Sequence, residues 1–176
     1  RQDGIGYTIR KPVQGWDQAH VLTPDGLMNG ERPPDGPVLI FDDDGYYMAS
    51  VLADLLVGEG RSVTLATPSA TVAAWSAYTL EQGAIENRLV DNGVTLLTRH
   101  NLELIDSGHA RLRDQLNRRD RSIDCAGVVV VTARLPNDSL WHELEQRRDD
   151  LDAVGSKVCR VGDCYGAGPI ESDVYM

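Results

Sequence analysis

The sequence predicts an α/β fold: an open parallel sheet with helices on both faces and an antiparallel hairpin. Three observations carry that prediction. Val38-Leu39-Ile40-Phe41 and Val128-Val129-Val130-Val131 are short, continuous apolar runs, the pattern of strands buried on both faces of a parallel sheet. The first run is followed by helical spacing, with Met48, Val51, Leu52, Leu55 and Leu56 on one side and Gly58 and Gly60 closing it. Strand and helix patterns then alternate along the chain, as they do in βαβ units.

Taken in order, residues 1–36 carry glycine or proline throughout and read as an irregular crossing segment. One short helix is predicted there, capped by Thr23 and started by Pro24. Strand 38–42 leads into helix 45–58, and strand 62–67 ends at Pro68. A second helical region, broken near Gly83, runs through Trp75, Leu80, Ile85 and Leu89 to Asn92-Gly93. Strand 94–98 precedes three antiparallel candidates at 101–106, 109–113 and 121–124, the first two joined at Ser107-Gly108. Strand 127–132, helix 138–149 and strand 157–161 follow, and a last helix is expected near Pro169 or Ile170.

The stretch Phe41-Asp42-Asp43-Asp44-Gly45 joins the first core strand to its helix. A dinucleotide-binding Rossmann unit places the glycines of G-x-G-x-x-G at this turn, for the bend, for close approach of a pyrophosphate and for helix packing. Those positions are Asp42, Asp44 and Tyr47 here. Two carboxylates would face a diphosphate, and like charges about 4 Å apart repel by roughly 1 kcal/mol even in water. Nor does the strand 62–67 end with the acidic residue that holds a ribose hydroxyl. The expectation is a Rossmann-like architecture that does not bind NAD(P).

Composition excludes several classes. A net charge of -10 argues against nucleic-acid binding, and Arg111, Arg113, Arg118, Arg119 and Arg121 are interrupted by Asp114 and Asp120. No apolar run is long enough to span a membrane. Cys125, Cys159 and Cys164 lack C-x-x-C spacing, and the first two sit in or beside apolar strands, which suggests structural roles. The scattered histidines give no metal motif.

Three pieces coincide in order: the turn at 38–49, Val129-Val130-Val131-Thr132-Ala133-Arg134-Leu135-Pro136-Asn137, and Val158-Cys159-Arg160-Val161-Gly162-Asp163. Together they resemble the NAD(P)-binding domain of disulfide-reductase-type flavoproteins with pieces of the adjoining FAD/ADP-type domain; Ala133 replaces that pattern's usual glycine. Leu39 through Met48, Thr79-Leu80-Glu81-Gln82-Gly83 and Val161-Gly162-Asp163-Cys164 narrow the likeness. They resemble the C-terminal part of the trimethylamine dehydrogenase family, the FMN- and 4Fe-4S-dependent amine dehydrogenases and N-demethylases related to old yellow enzyme and 2,4-dienoyl-CoA reductase.

That resemblance implies three parts: 1–36 crossing from the adjoining nucleotide-binding domain, 37–134 a degenerate NAD(P)-binding-like domain, and 135–176 the return into the FAD/ADP-type domain. It implies FMN and a 4Fe-4S cluster outside this chain, no catalytic residue within it, and electron transfer to an electron-transferring flavoprotein. It further implies packing on an N-terminal barrel of the same polypeptide, a homodimer, and a cytoplasmic location. Gly162 and Asp163, with amides after Gly166-Ala167-Gly168, would border an ADP- or FAD-type pocket. Two rivals remain: an active NAD(P)H-dependent flavin reductase domain, and a receiver-like phosphoacceptor domain holding magnesium at Asp42-Asp43-Asp44. The receiver needs a phosphorylatable aspartate after the third strand and a later lysine, where the chain has Thr98-Arg99 and no lysine between Lys11 and Lys157.

Overall fold

The structure is a computed structural model describing residues 1–153, 155 and 157–166. It divides into two units, Arg1–Ala133 and Arg134–Met176. The first unit contains β1 (Val21–Leu22), α1 (Pro24–Met28), β2 (Val38–Asp42), α2 (Met48–Gly58), β3 (Val63–Ala66) and α3 (Gln82–Asp91). It continues through β4 (Thr95–Leu97), β5 (His100–Asp106), β6 (His109–Asp114), β7 (Asp120–Asp124) and β8 (Gly127–Val131).

Five strands form a parallel sheet in the order β1-β8-β2-β3-β4, and β5-β6-β7 form an antiparallel sheet of three. The two apolar runs are adjacent: Val38 pairs with Gly127 and Asp42 with Val131. Period-two alternation divides their side chains between two cores. Val38, Ile40, Val129 and Val131 join Leu27, Leu52, Leu56, Ile85 and Leu89 beneath the helices. Leu39, Phe41, Val128 and Val130 instead join Leu102, Ile105, Ala110 and Leu112. The predicted α/β class is therefore present, with helices α1–α3 over one face and the antiparallel sheet as the layer over the other.

Several boundaries differ from the sequence reading for local reasons. Thr23 caps α1 as expected, its Oγ1 accepting from Gly26 N at 3.1 Å. Helix α2 starts at Met48, not 45, because Gly45 has φ 73, a left-handed value that cannot begin a right-handed helix. The second helical region breaks at Leu80, φ 62, separating a 3₁₀ turn at Ala74–Ala77 from α3, and Gly83 lies inside α3. The crossing segment adds Val21–Leu22 to the sheet edge, too short a piece to show periodicity.

In the second unit the expected helix 138–149 is two: α4 (Ser139–Gln146) and α5 (Arg148–Ala153). Neither buries a residue, so no packed face holds the polar run around Arg147 in one continuous helix. The strand expected at 157–161 is not formed. Val158 and Val161 are exposed, and no strand among the described residues pairs with them. Strand propensity alone does not hold a backbone whose hydrogen-bonding partners are missing. Arg160 instead packs over Trp141 and Tyr165, 5.3 and 5.5 Å from the ring centres, and pairs with Asp138 at 2.5 Å. The helix expected near Pro169 lies outside the described residues.

Candidate functional site

The carboxyl end of β2 is where the sheet reverses its strand order, since β3 and β4 extend to one side and β8 lies on the other. Ligands of open α/β sheets bind in the crevice at such a point. Here the acidic turn and the crossing segment fill it.

Asp42, 1% exposed, turns its carboxylate onto its own loop: Oδ1 accepts from Asp44 N at 3.1 Å and from Gly45 N at 2.9 Å. Its Oδ2 is buried without a hydrogen-bond partner. Burial pushes this carboxyl up to about 7; the two amides oppose the rise, and the charges of Asp44 and Asp43 add to it.

Asp43 points elsewhere. Its N–H donates to Val131 O at 2.8 Å, joining the turn to β8. Its Oδ2 accepts from Thr8 N and Ile9 N, both at 2.9 Å, and its carbonyl from Tyr7 N at 3.4 Å. Ala133 N donates to Ile5 O at 3.1 Å. Residues 5–9 are thereby strapped across the ends of β2 and β8. Gly6 is required by this closeness, since a β-carbon there would lie 2.2 Å from Asp43 Oδ2. The strap bridges positions 34 and 35 apart; no local signal in the sequence announces it.

Tyr47 stands at the start of α2, half exposed and edge-on to Tyr46 at 4.9 Å. At the end of β3, Thr67 is buried; its Oγ1 accepts from Ser69 N at 3.2 Å and its N–H donates to Leu97 O. Among the described residues, no three His, Cys, Asp or Glu side chains come together as a metal-binding group. In particular, the carboxylates of Asp42 and Asp43 serve separate stretches of backbone, which is not how a receiver domain would hold magnesium.

Gly162 and Asp163 lie in the second unit, in a 3₁₀ turn at Gly162–Cys164. Gly162 has φ 63, a value that favours glycine, and its carbonyl accepts from Tyr165 N at 2.8 Å and Gly166 N at 3.1 Å. Asp163 is exposed. The amides after Gly166 lie outside the described residues. Cys125 is buried, and burial raises its thiol to about 11; Cys159, expected in a strand, is exposed instead.

A parallel sheet with this turn and an antiparallel inserted layer defines a Rossmann-like domain of the flavoprotein-reductase type. The chain belongs to the OYE-like second alpha/beta domain family, whose profile matches residues 22–146. It is 28% identical to dimethylamine dehydrogenase of Hyphomicrobium sp. (strain x), over 91% of this chain and 24% of that protein. Among solved structures, 6-hydroxypseudooxynicotine amine oxidase from Pseudomonas geniculata N1 matches 99% of the chain with TM-score 0.91 and 34% identity. Histamine dehydrogenase from Rhizobium sp. 4-9 matches 99% with TM-score 0.90 and 33% identity. These relatives place the chain in the trimethylamine dehydrogenase family, and it spans about a quarter of their length: 24%, 26% and 28% respectively. An engineered water-forming NADPH oxidase, 17% identical with TM-score 0.56, shares the fold.

Proposed function

We propose that this chain is the second α/β region of a flavin- and iron–sulfur-dependent amine dehydrogenase or oxidative N-demethylase, that it is not itself catalytic, and that it does not bind NAD(P). The observation that carries this reading is the filled turn. In a nucleotide-binding unit the turn amides face a phosphate; here Gly45 N and Asp44 N are taken by Asp42 Oδ1. The crevice beside them holds residues 5–9, gripped by Asp43. A dinucleotide would have to displace both while meeting three carboxylates.

The amine-oxidising relatives that match nearly the whole chain support the wider role. In that role FMN would supply hydride acceptance, and a 4Fe-4S cluster would carry single electrons towards an electron-transferring flavoprotein. The described residues here do not fit the cluster, since no three metal-binding side chains meet. In this reading both groups sit with a barrel elsewhere in the same polypeptide. In the same reading, residues 1–36 cross from an adjoining nucleotide domain, 37–134 form the degenerate NAD(P)-like domain, and 135–176 return. Gly162 and Asp163 would then border an ADP- or FAD-type pocket in a cytoplasmic homodimer.

Calorimetric titration of the chain with NADH and NADPH tests the central claim. No binding is expected up to millimolar coenzyme, and micromolar affinity for either would overturn it and revive an active reductase domain.

A further inference from the structure

Two asparagines each close a helix and precede a glycine: Asn29 after α1 and Asn92 after α3. In this dipeptide the glycine amide readily attacks the preceding side chain, because no β-carbon crowds its approach. The backbones at the two sites match. Asn29 has φ -81 and ψ 3, and Asn92 has φ -80 and ψ 1. Gly30 and Gly93 hold left-handed φ values of 97 and 81, and a β-carbon on either would meet open space. Each glycine N–H donates three residues back, Gly30 to Leu27 O at 3.1 Å and Gly93 to Val90 O at 2.9 Å. Both asparagines are exposed. Their side chains differ. Asn92 Nδ2 donates to Asp54 Oδ1 at 3.0 Å, and the other oxygen of that carboxylate accepts from Arg88 Nε at 2.9 Å. The Asn92 carboxamide is thereby tied to α2. Among the described residues, none makes a hydrogen bond with the carboxamide of Asn29. The helix before Asn29 has five residues against ten in α3, and so short a helix opens more easily.

We propose that Asn29-Gly30 is a spontaneous deamidation site of the folded chain, and that the Asp54 carboxylate protects Asn92-Gly93 from the same reaction. Gly30 N attacks Asn29 Cγ, and the new N–C bond replaces the Cγ–Nδ2 bond. The Gly30 N–H proton leaves with the side-chain nitrogen as ammonia, and a succinimide remains. Water then opens the ring at either carbonyl, giving aspartate or isoaspartate. Either product adds a carboxylate to a segment that already carries Asp25 and Glu31. The isoaspartyl product also inserts a carbon into the backbone, among bonds that seat α1. Asn29 N donates to Asp25 O at 2.9 Å, Glu31 N to Gly26 O at 2.9 Å and Arg32 Nη1 to Leu27 O at 2.9 Å. Leu27, 1% exposed, is the side chain these bonds hold in the core beneath the helices.

Mass-spectrometric peptide mapping of the whole 176-residue chain, incubated in neutral buffer, tests the assignment. The mass gain of deamidation should accumulate at residue 29 about tenfold faster than at residue 92, the factor that a hydrogen bond to a charged group commands. In urea strong enough to unfold the chain the two rates should converge, because glycine follows both asparagines. Asp54→Ala, its folding checked by circular dichroism, should speed the reaction at residue 92 and leave residue 29 unchanged. The proposal is overturned by no mass gain at residue 29, by equal rates in the folded chain, or by a difference that persists in urea. An Asn92 rate untouched in folded Asp54→Ala would also overturn it.

Discussion

Replacing Asp42 with asparagine tests whether the acidic turn is held at an energetic cost. In the folded chain the Asp42 carboxyl titrates at about 7, against an ordinary 3.8, chiefly because it is buried. A raised carboxyl pKa means that the folded state keeps a proton the unfolded state has already released. Stability from this group is therefore full below about pH 4 and falls as pH rises, until the folded group has itself ionised near pH 7. Between pH 5 and pH 8 the loss amounts to about 3 kcal/mol, or roughly 10 °C in melting temperature for a domain of this size. Asp42→Asn keeps an oxygen for the amides of Asp44 and Gly45 and removes this ionisation, so the fall due to the carboxyl should vanish from its profile, leaving the opposite, smaller trend of the Arg1 amine, which burial lowers. The assay is urea unfolding at a series of pH values, followed by the fluorescence of Trp16 and Trp75 in a Trp141→Phe background, which confines the signal to the first unit. The acids held below their ordinary range by partners, Asp3, Asp114 and Asp120, complete their titration at lower pH, and Cys125 titrates above the range. Parallel curves for the wild-type chain and Asp42→Asn would refute the reasoning.

Three further outcomes follow from the same geometry. Asp43→Ala removes the acceptor for Thr8 N and Ile9 N and should cost about 2 kcal/mol, with hydrogen exchange at those two amides accelerating ahead of the sheet amides. Gly6→Ala brings a β-carbon against the Asp43 carboxylate and should destabilise the unit by about 1–3 kcal/mol in urea; pairing it with Asp43→Ala should give less than the sum, because both act on one contact. Cys159 should react with a thiol reagent in the native protein, whereas Cys125, buried and raised to about 11, should react only after unfolding; native-state labelling of Cys125 would contradict its position.

What was legible in the sequence was what is locally encoded. Strands β2 and β8 could be read because burial on both faces demands uninterrupted apolar residues, and α1 because Thr23 and Pro24 mark a helix start. The turn at Asp42–Asp44 was visible as an acidic bend between a core strand and its helix. Its wiring was not, because Asp43 reaches Thr8 and Ile9 from another part of the chain and nothing near either segment signals the other. The break at Leu80 was equally hidden, since leucine rarely adopts a left-handed φ and no sequence rule assigns it one. At 157–161 the apolar alternation suggested a strand, but the hydrogen-bonding partner it needs is not supplied by the described residues.

The brevity of the outer strands bears on how the sheet avoids sticking to itself. Val21–Leu22 at one border and Thr95–Leu97 at the other are the shortest members of the parallel sheet, while the five-residue apolar strands lie inside. An exposed strand flank is a template for foreign chains, and its hazard grows with length and apolarity. Val21 and Leu22 shield one flank of Gly127-Val128-Val129-Val130-Val131. Losing the Val21–Leu22 strand would leave that valine run as an open border of the sheet, so removing these two residues is expected to favour fibrous association.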